Sequence, residues 1–202
     1  LIGSKGALIL AAVVLCAIVV LRYCSPAVAL GTIVALLVTY IVGGIAIGIA
    51  VQDYHVIGFI GGLKGFLSQP LGRGLGIGGN LSLDMTTIDW SKSQHLGHTD
   101  IAVESAVGVL LYQMGVFGAG LLALMVWLAL KLWRIYVRGR DRLLAVAACS
   151  ILTILANGIF QEEALFSPLA LGMILGLAGL LLGRAYRPAD TRSVHSPAPL
   201  LR

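Results

Sequence analysis

The sequence predicts an all-α, polytopic membrane protein with about five transmembrane helices and one large loop outside the cytoplasm. Three observations predict it. Of 202 residues, 58% are hydrophobic and 11% charged, with a mean hydropathy of +0.97, whereas a soluble domain is charged at roughly a quarter of its positions. The apolar residues gather into runs long enough to cross a hydrocarbon core, which takes about 20 helical residues. The basic residues fall at one set of run ends and the acids at the other.

The runs follow in order. The first covers about residues 6–21, short but free of charge, and the second 27–51. The third, 101–130, is long enough to tilt or to begin outside the bilayer, and the fourth and fifth cover 143–160 and 165–182. In lipid each must be a helix, because every backbone N–H and C=O needs an internal partner. Arg22 lies between runs one and two. Lys131, Arg134, Arg138, Arg140 and Arg142 lie between three and four, and Arg184, Arg187, Arg192 and Arg202 follow run five. Alternation puts all three groups on one side, which is therefore cytoplasmic. Asp53, Asp84, Asp89, Asp100, Glu104, Glu162 and Glu163 collect opposite. The net charge of +5 is thus a topology signal rather than a nucleic-acid surface, and no nucleic-acid partner is expected.

Residues 52–100 then form the extracytoplasmic loop. Within it "YHVIGFIGGLKGFLSQP" has helical apolar spacing and reads as a short amphipathic helix along the interface, ended by Pro70. The 184–202 tail, rich in Pro and Ser, reads as a disordered cytoplasmic segment. The opening "LIGSKGALIL" reads as a processed end or the edge of a fragment. Cys16, Cys24 and Cys149 have neither C-x-x-C spacing nor a neighbouring His, so they read as small hydrophobes. Gly44 and Gly48, and the stripe Gly172, Gly176, Gly179 and Gly183, suit close helix packing. Trp127 and Trp133 are expected in an interfacial belt.

Two stretches carry chemistry. "SQPLGRGLGIGGN" places Arg73 among glycines. It lacks the strand context and the Lys-Ser/Thr of a nucleotide loop. Gly72, Gly74 and Gly76 let the backbone approach a ligand, and Arg73 offers a fork of donors matched to phosphate oxygens. A flexible turn with a solvated arginine is the plainer reading. "HLGHTDIAVES" brings His95, His98, Asp100 and Glu104 to the mouth of run three. Asp100 and Glu104 are expected on one helix face that Gly108, Tyr112 and Gly115 continue. An acid at that depth is a functional candidate, with an interfacial helix-start acid as the plainer reading. No ligand spacing supports a metal site, so none is expected. Asn157, Gln161, Glu162 and Glu163 read as a solvated turn or the lining of an acceptor groove. Trp90 reads as a sugar-stacking residue or a loop anchor.

"PLGRGLGIGGN", a variable loop, then "VESAVGVLLYQMGVFG" together resemble the O-antigen ligase/polymerase superfamily of bacterial inner-membrane proteins. Glu104 stands eleven positions before Gly115, which opens the G-x-x-G ending at Gly118. The resemblance covers about residues 65–120 and makes this chain a C-terminal portion. Its ligases carry a His before Asn, Ser or Gln at the position held here by Glu104-Ser105, so the polymerase or exopolysaccharide branch fits better. The resemblance implies a metal-free glycosyl transfer at the periplasmic face, without cofactors. The donor is an undecaprenyl-diphosphate-linked glycan and the acceptor is a glycan or lipid hydroxyl; other polysaccharide export proteins are expected as partners. Arg73, with Lys64, would hold the diphosphate, and Glu104 or His98 would take the acceptor proton. Gly72, Gly74, Gly76, Asp100 and Trp90 would line the substrate. The rival reading is a transporter or channel domain.

Overall fold

The structure is a computed structural model that describes residues 5–78 and 104–186. Every regular element among the described residues is helical. They are α1 (Lys5–Tyr23), α2 (Pro26–Val51), α3 (Tyr54–Ser68), α4 (Ala106–Met114), α5 (Val116–Gly139), α6 (Arg142–Asn157), the single turn α7 (Glu163–Phe166), a π-helical turn (Pro168–Gly172) and α8 (Met173–Ala185). Two of them, α2 and α5, are long and apolar enough to cross a bilayer; α6, α8 and the 12–23 part of α1 are shorter apolar helices.

Local chemistry sets the boundaries. Ser25 caps α2 with Pro26 in its first turn, where the missing N–H costs nothing. Gln52 closes α2 in the left-handed conformation, and Asp53 immediately caps α3 through the N–H of His55. The turn from α5 to α6 uses Arg140 in the left-handed conformation and Asp141 as the next cap.

Helix α6 is the centre of the core. Ala145, Ala147, Ala148 and Ile151 are all buried on it, and it packs against α1, α2, α5, α7 and α8. Small side chains let those neighbours approach closely. Ile33 of α2, Leu132 of α5 and Ala178 of α8 complete this core.

Three expectations change. The 101–130 run is not one helix. Gly115 (φ +54°, ψ −127°) breaks it, and the chain doubles back so that Gly118 lies against the Leu110 carbonyl. In an unbroken helix residues eight apart are separated by about 12 Å. The 52–78 part of the expected loop holds α3, whose face of Gly58, Gly61, Gly62 and Gly65 is buried, largely against α4. Its glycine face thus packs on protein instead of standing alone. Trp133 is buried in the core edge-on to Tyr136, while Trp127 is exposed with Lys131 Nζ over its ring.

The glycine pairs also divide. Gly44 accommodates Phe160 and Gly48 accommodates Val56, as close packing requires. Gly172, Gly176, Gly179 and Gly183 on or beside α8 face no neighbouring atoms. The tail beyond residue 186 and the segment 79–103 lie outside the described residues.

Candidate functional site

Helices α3 and α4 run side by side in the same direction. Three contacts fix the register: His55 meets Glu104, Gly62 meets Gly108, and Gly65 meets Tyr112. Because Gly62 and Gly108 carry no side chains, the two backbones touch. The result is a stiff pair with polar groups at each end.

At the start of α4, Ser105 is fully buried and caps the helix. It accepts from the Gly108 N–H at 3.1 Å and donates to the Gly158 carbonyl at 3.5 Å. The same carbonyl accepts from the Val107 N–H at 3.0 Å, which ties α4 to the end of α6. Glu104 precedes this anchor with φ +60°. Gln52 and Arg140 also have positive φ, but both close helices, where that conformation is normal. Glu104 instead leads into the α4 cap, and a positive φ at a glutamate costs about 1–3 kcal/mol that the Ser105 anchor must hold. The expected helix face from Asp100 through Glu104 to Tyr112 is therefore not formed: the helix begins at Ala106, after Glu104.

His55 stands opposite. Its Nδ1 lies 3.0 Å from the Glu104 carbonyl oxygen and 3.5 Å from its carboxylate, and both side chains keep about two-fifths of their surface, at 38% and 37%. A carbonyl oxygen can only accept, so Nδ1 carries the hydrogen. In the neutral ring Nε2 then keeps its lone pair and acts as an acceptor. Reading the sequence missed His55, because forty-nine residues separate the pair. The one local signal was its place two residues after the capping Asp53.

The other end of α4 holds the glycine–arginine loop. The Arg73 N–H bonds the Tyr112 carbonyl at 3.0 Å, the Gly74 N–H bonds Gln113 at 3.1 Å, and the Val116 N–H returns to Pro70 at 2.8 Å. The Gln113 side chain donates to the Ile77 carbonyl at 2.8 Å. Tyr112 is gripped between Gly65 and Gly78, with the Arg73 guanidinium 5.0 Å above its ring. Arg73 also donates to Ser68 Oγ at 3.3 Å. Gly72 sits against Gln113 and Gly115, so its bareness serves packing. Gly76 faces open space and Gly74 nearly so, which leaves their backbone accessible.

No family model, curated protein or solved structure matches this chain. The site therefore stands on its own geometry. Of the residues expected from sequence, Glu104, Arg73, Lys64, Gly72, Gly74 and Gly76 are described, whereas His98, Asp100 and Trp90 lie outside the described residues. Glu104 and Arg73 are not brought together: they flank α4, a separation of about 12 Å along the axis at ~1.5 Å per residue. Lys64 is on the exposed side of α3. Among the described residues no group of three or more His, Cys, Asp or Glu is placed to hold a metal. Asn157 and Gln161 are half-buried rather than a solvated turn. Tyr40 donates to Asn157 at 3.2 Å, and Asn157 donates to Gln161 at 3.2 Å.

Proposed function

We propose that this chain, with about five membrane spans, is the C-terminal portion of a membrane glycosyltransferase of the bacterial inner membrane. It polymerises or ligates a glycan carried on undecaprenyl diphosphate, with the α3–α4 pair at the periplasmic face. The observation that carries the reading is the His55–Glu104 pair, half-exposed and clamped at the end of a short helix by a buried serine. The resemblance in the glycine loop and in the Glu104–Gly118 stretch supports it. At the position where the ligases of that superfamily carry a histidine, this chain has Glu104, and His55 reaches the same place from α3.

The chemistry asks little of the protein. An acceptor hydroxyl attacks the anomeric carbon, its proton passes to His55 Nε2 or the Glu104 carboxylate, and the bond from that carbon to the diphosphate oxygen breaks. The lipid diphosphate leaves with the electron pair, so no metal or cofactor enters the step. Glu104 orients the imidazole and stabilises its charge once protonated. Arg73 is too far to touch the breaking bond. It suits the second diphosphate, the one that anchors a lipid-linked acceptor, with a short oligosaccharide spanning the length of α4. That favours polymerisation.

The test is polysaccharide chain length in a deletion strain complemented with variants. Glu104→Gln and His55→Ala each collapse long chains to single repeat units, and the double variant is no worse than either alone, because the two act as one unit. Glu163→Gln, at the exposed start of α7, keeps normal length. Normal length in both single variants removes the pair from the mechanism.

A second reading, a transport domain, draws on one observation. The Tyr40–Asn157–Gln161 chain joins the α2 and α6 helices through half-buried polar side chains, and such groups mark transport paths in membranes. Loss of substrate flux into vesicles in Asn157→Leu, with polymer length unchanged, would favour it.

A further inference from the structure

Every second residue of the loop from Gly72 to Gly78 is a glycine with positive φ. The residues that alternate with these glycines are Leu71, Arg73, Leu75 and Ile77. Leu71 is 76% exposed and Leu75 77%, and Leu67 at the end of α3 adds another exposed leucine at 76%. This exposure is not that of a loose turn. Main-chain bonds to Tyr112, Gln113 and Val116 hold the loop, and Gln113 holds its far end. The fold thus keeps three leucines out of its own core, although burying each would contribute about 1.5–3 kcal/mol. Arg73 stands among them, exposed, and makes no ion pair among the described residues. Its stacking on Tyr112 and its bond to Ser68 fix the guanidinium while leaving donors open.

An exposed cation flanked along the chain by exposed leucines is complementary to an anionic headgroup above acyl chains. We propose that this tip docks on the lipid leaflet: Leu67, Leu71 and Leu75 enter the acyl boundary, and the Arg73 guanidinium holds a lipid phosphate. The inference rests on the membrane reading above and deepens it. It sets the height of the α3–α4 pair, so that a diphosphate in the headgroup layer meets Arg73 while its sugars reach toward Glu104. A water-soluble anion would not need the leucines, and a polar protein surface would leave them wet.

The experiment uses the full chain in vesicles of phosphatidylcholine, alone or mixed with phosphatidylglycerol. Cys16, Cys24 and Cys149 are replaced, and a nitroxide is placed at Leu71→Cys. The expected result is relaxation by oxygen several-fold greater than by a water-soluble nickel chelate. The ratio rises further with phosphatidylglycerol, the rise is lost in Arg73→Ala, and added inorganic phosphate does not change it. Dominance of the chelate overturns the proposal, and so does exclusion of both reagents, which would mean a protein partner or second copy covers the tip. A rise abolished by inorganic phosphate overturns the lipid assignment in favour of a free-anion site. Should the cysteine-free background not fold, Leu71→Trp in the parent chain gives the same decision through quenching by brominated lipid. Neither measurement involves a glycan, so failure of the glycosyl-transfer reading and failure of this surface are separately visible.

Discussion

Gly62 of α3 and Gly108 of α4 lie backbone to backbone, so that a Cβ at residue 62 would overlap the Gly108 main chain. The contact sets how far apart His55 and Glu104 stand one end on, and how the glycine–arginine loop seats at the other. Backbone cannot move aside as a flexible side chain can. Gly62→Val is therefore expected to cost at least the 1–3 kcal/mol typical of overpacking. Gly120→Ala, on α5 with open space around it, is expected to gain up to about 1 kcal/mol from helix propensity. Thermal unfolding of both variants in the same detergent checks the contrast, and equal shifts would show that the backbone contact does not hold the pair together.

Tyr112 offers a second test. Its ring fills the space between Gly65 and Gly78 and carries Arg73 on its outer face. Tyr112→Ala is expected to cost about 3–5 kcal/mol, as for other large-to-small aromatic losses. It should also make the chain cleavable near Arg73 by trypsin. Tyr112→Phe keeps the ring and is expected to keep the loop protected. A loop equally protected in both variants would mean that its main-chain bonds alone suffice to seat it.

These contacts show which parts of the fold were legible. α2 stood out as an uninterrupted apolar run, whereas α5 was legible only as the later part of the 101–130 run, its end at Gly139 masked by Lys131, Arg134 and Arg138; Pro26, Ser25 and Asp141 are terminal residues whose chemistry is local. α3 was legible as a helix from its apolar spacing. Its partner was not, because a face of Gly58, Gly62 and Gly65 has no hydrophobic signature and could equally face lipid. The break at Gly115 was hidden for a related reason: glycine is frequent inside unbroken membrane helices, so one within a long apolar run does not by itself mark a turn. Within the site, Arg73 and Glu104 were found as charges in unusual surroundings. His55 was not, because its meaning comes from a partner far along the chain. The placement of Glu104 on a helix face failed because Ser105, a strong capping residue, starts the helix one position after it.

Gly115 itself is the third test. Its ψ of −127° at φ +54° is open to glycine and closed to residues with a Cβ, and such an atom would also meet the Pro70 carbonyl. Gly115→Ala is expected to straighten the α4–α5 junction and break the Val116 to Pro70 bond. The measurement is the distance between spin labels on α3 and α5 by pulsed EPR, compared with Gly120→Ala. An unchanged distance would show that the bend is imposed by packing rather than by this residue.

The strain at Glu104 gives the last prediction. A glutamate at φ +60° persists only where its surroundings hold it there, and here Ser105 and Gly158 do so. If the carboxylate is kept for chemistry rather than for folding, residues that tolerate the left-handed region should relieve the strain. Glu104→Asn keeps a polar side chain, and asparagine is several-fold enriched at positive φ. Glu104→Gly removes the strain fully but returns about 0.5–1 kcal/mol to the unfolded chain as entropy. Both variants are therefore expected to be as stable as the parent or more stable by about 1 kcal/mol, while chain extension is lost in each. Unfolding temperature in detergent and polymer length in cells are measured side by side. Loss of stability in both variants would mean that the contact with His55 holds the fold together, and the case for a catalytic carboxylate at this position would fall.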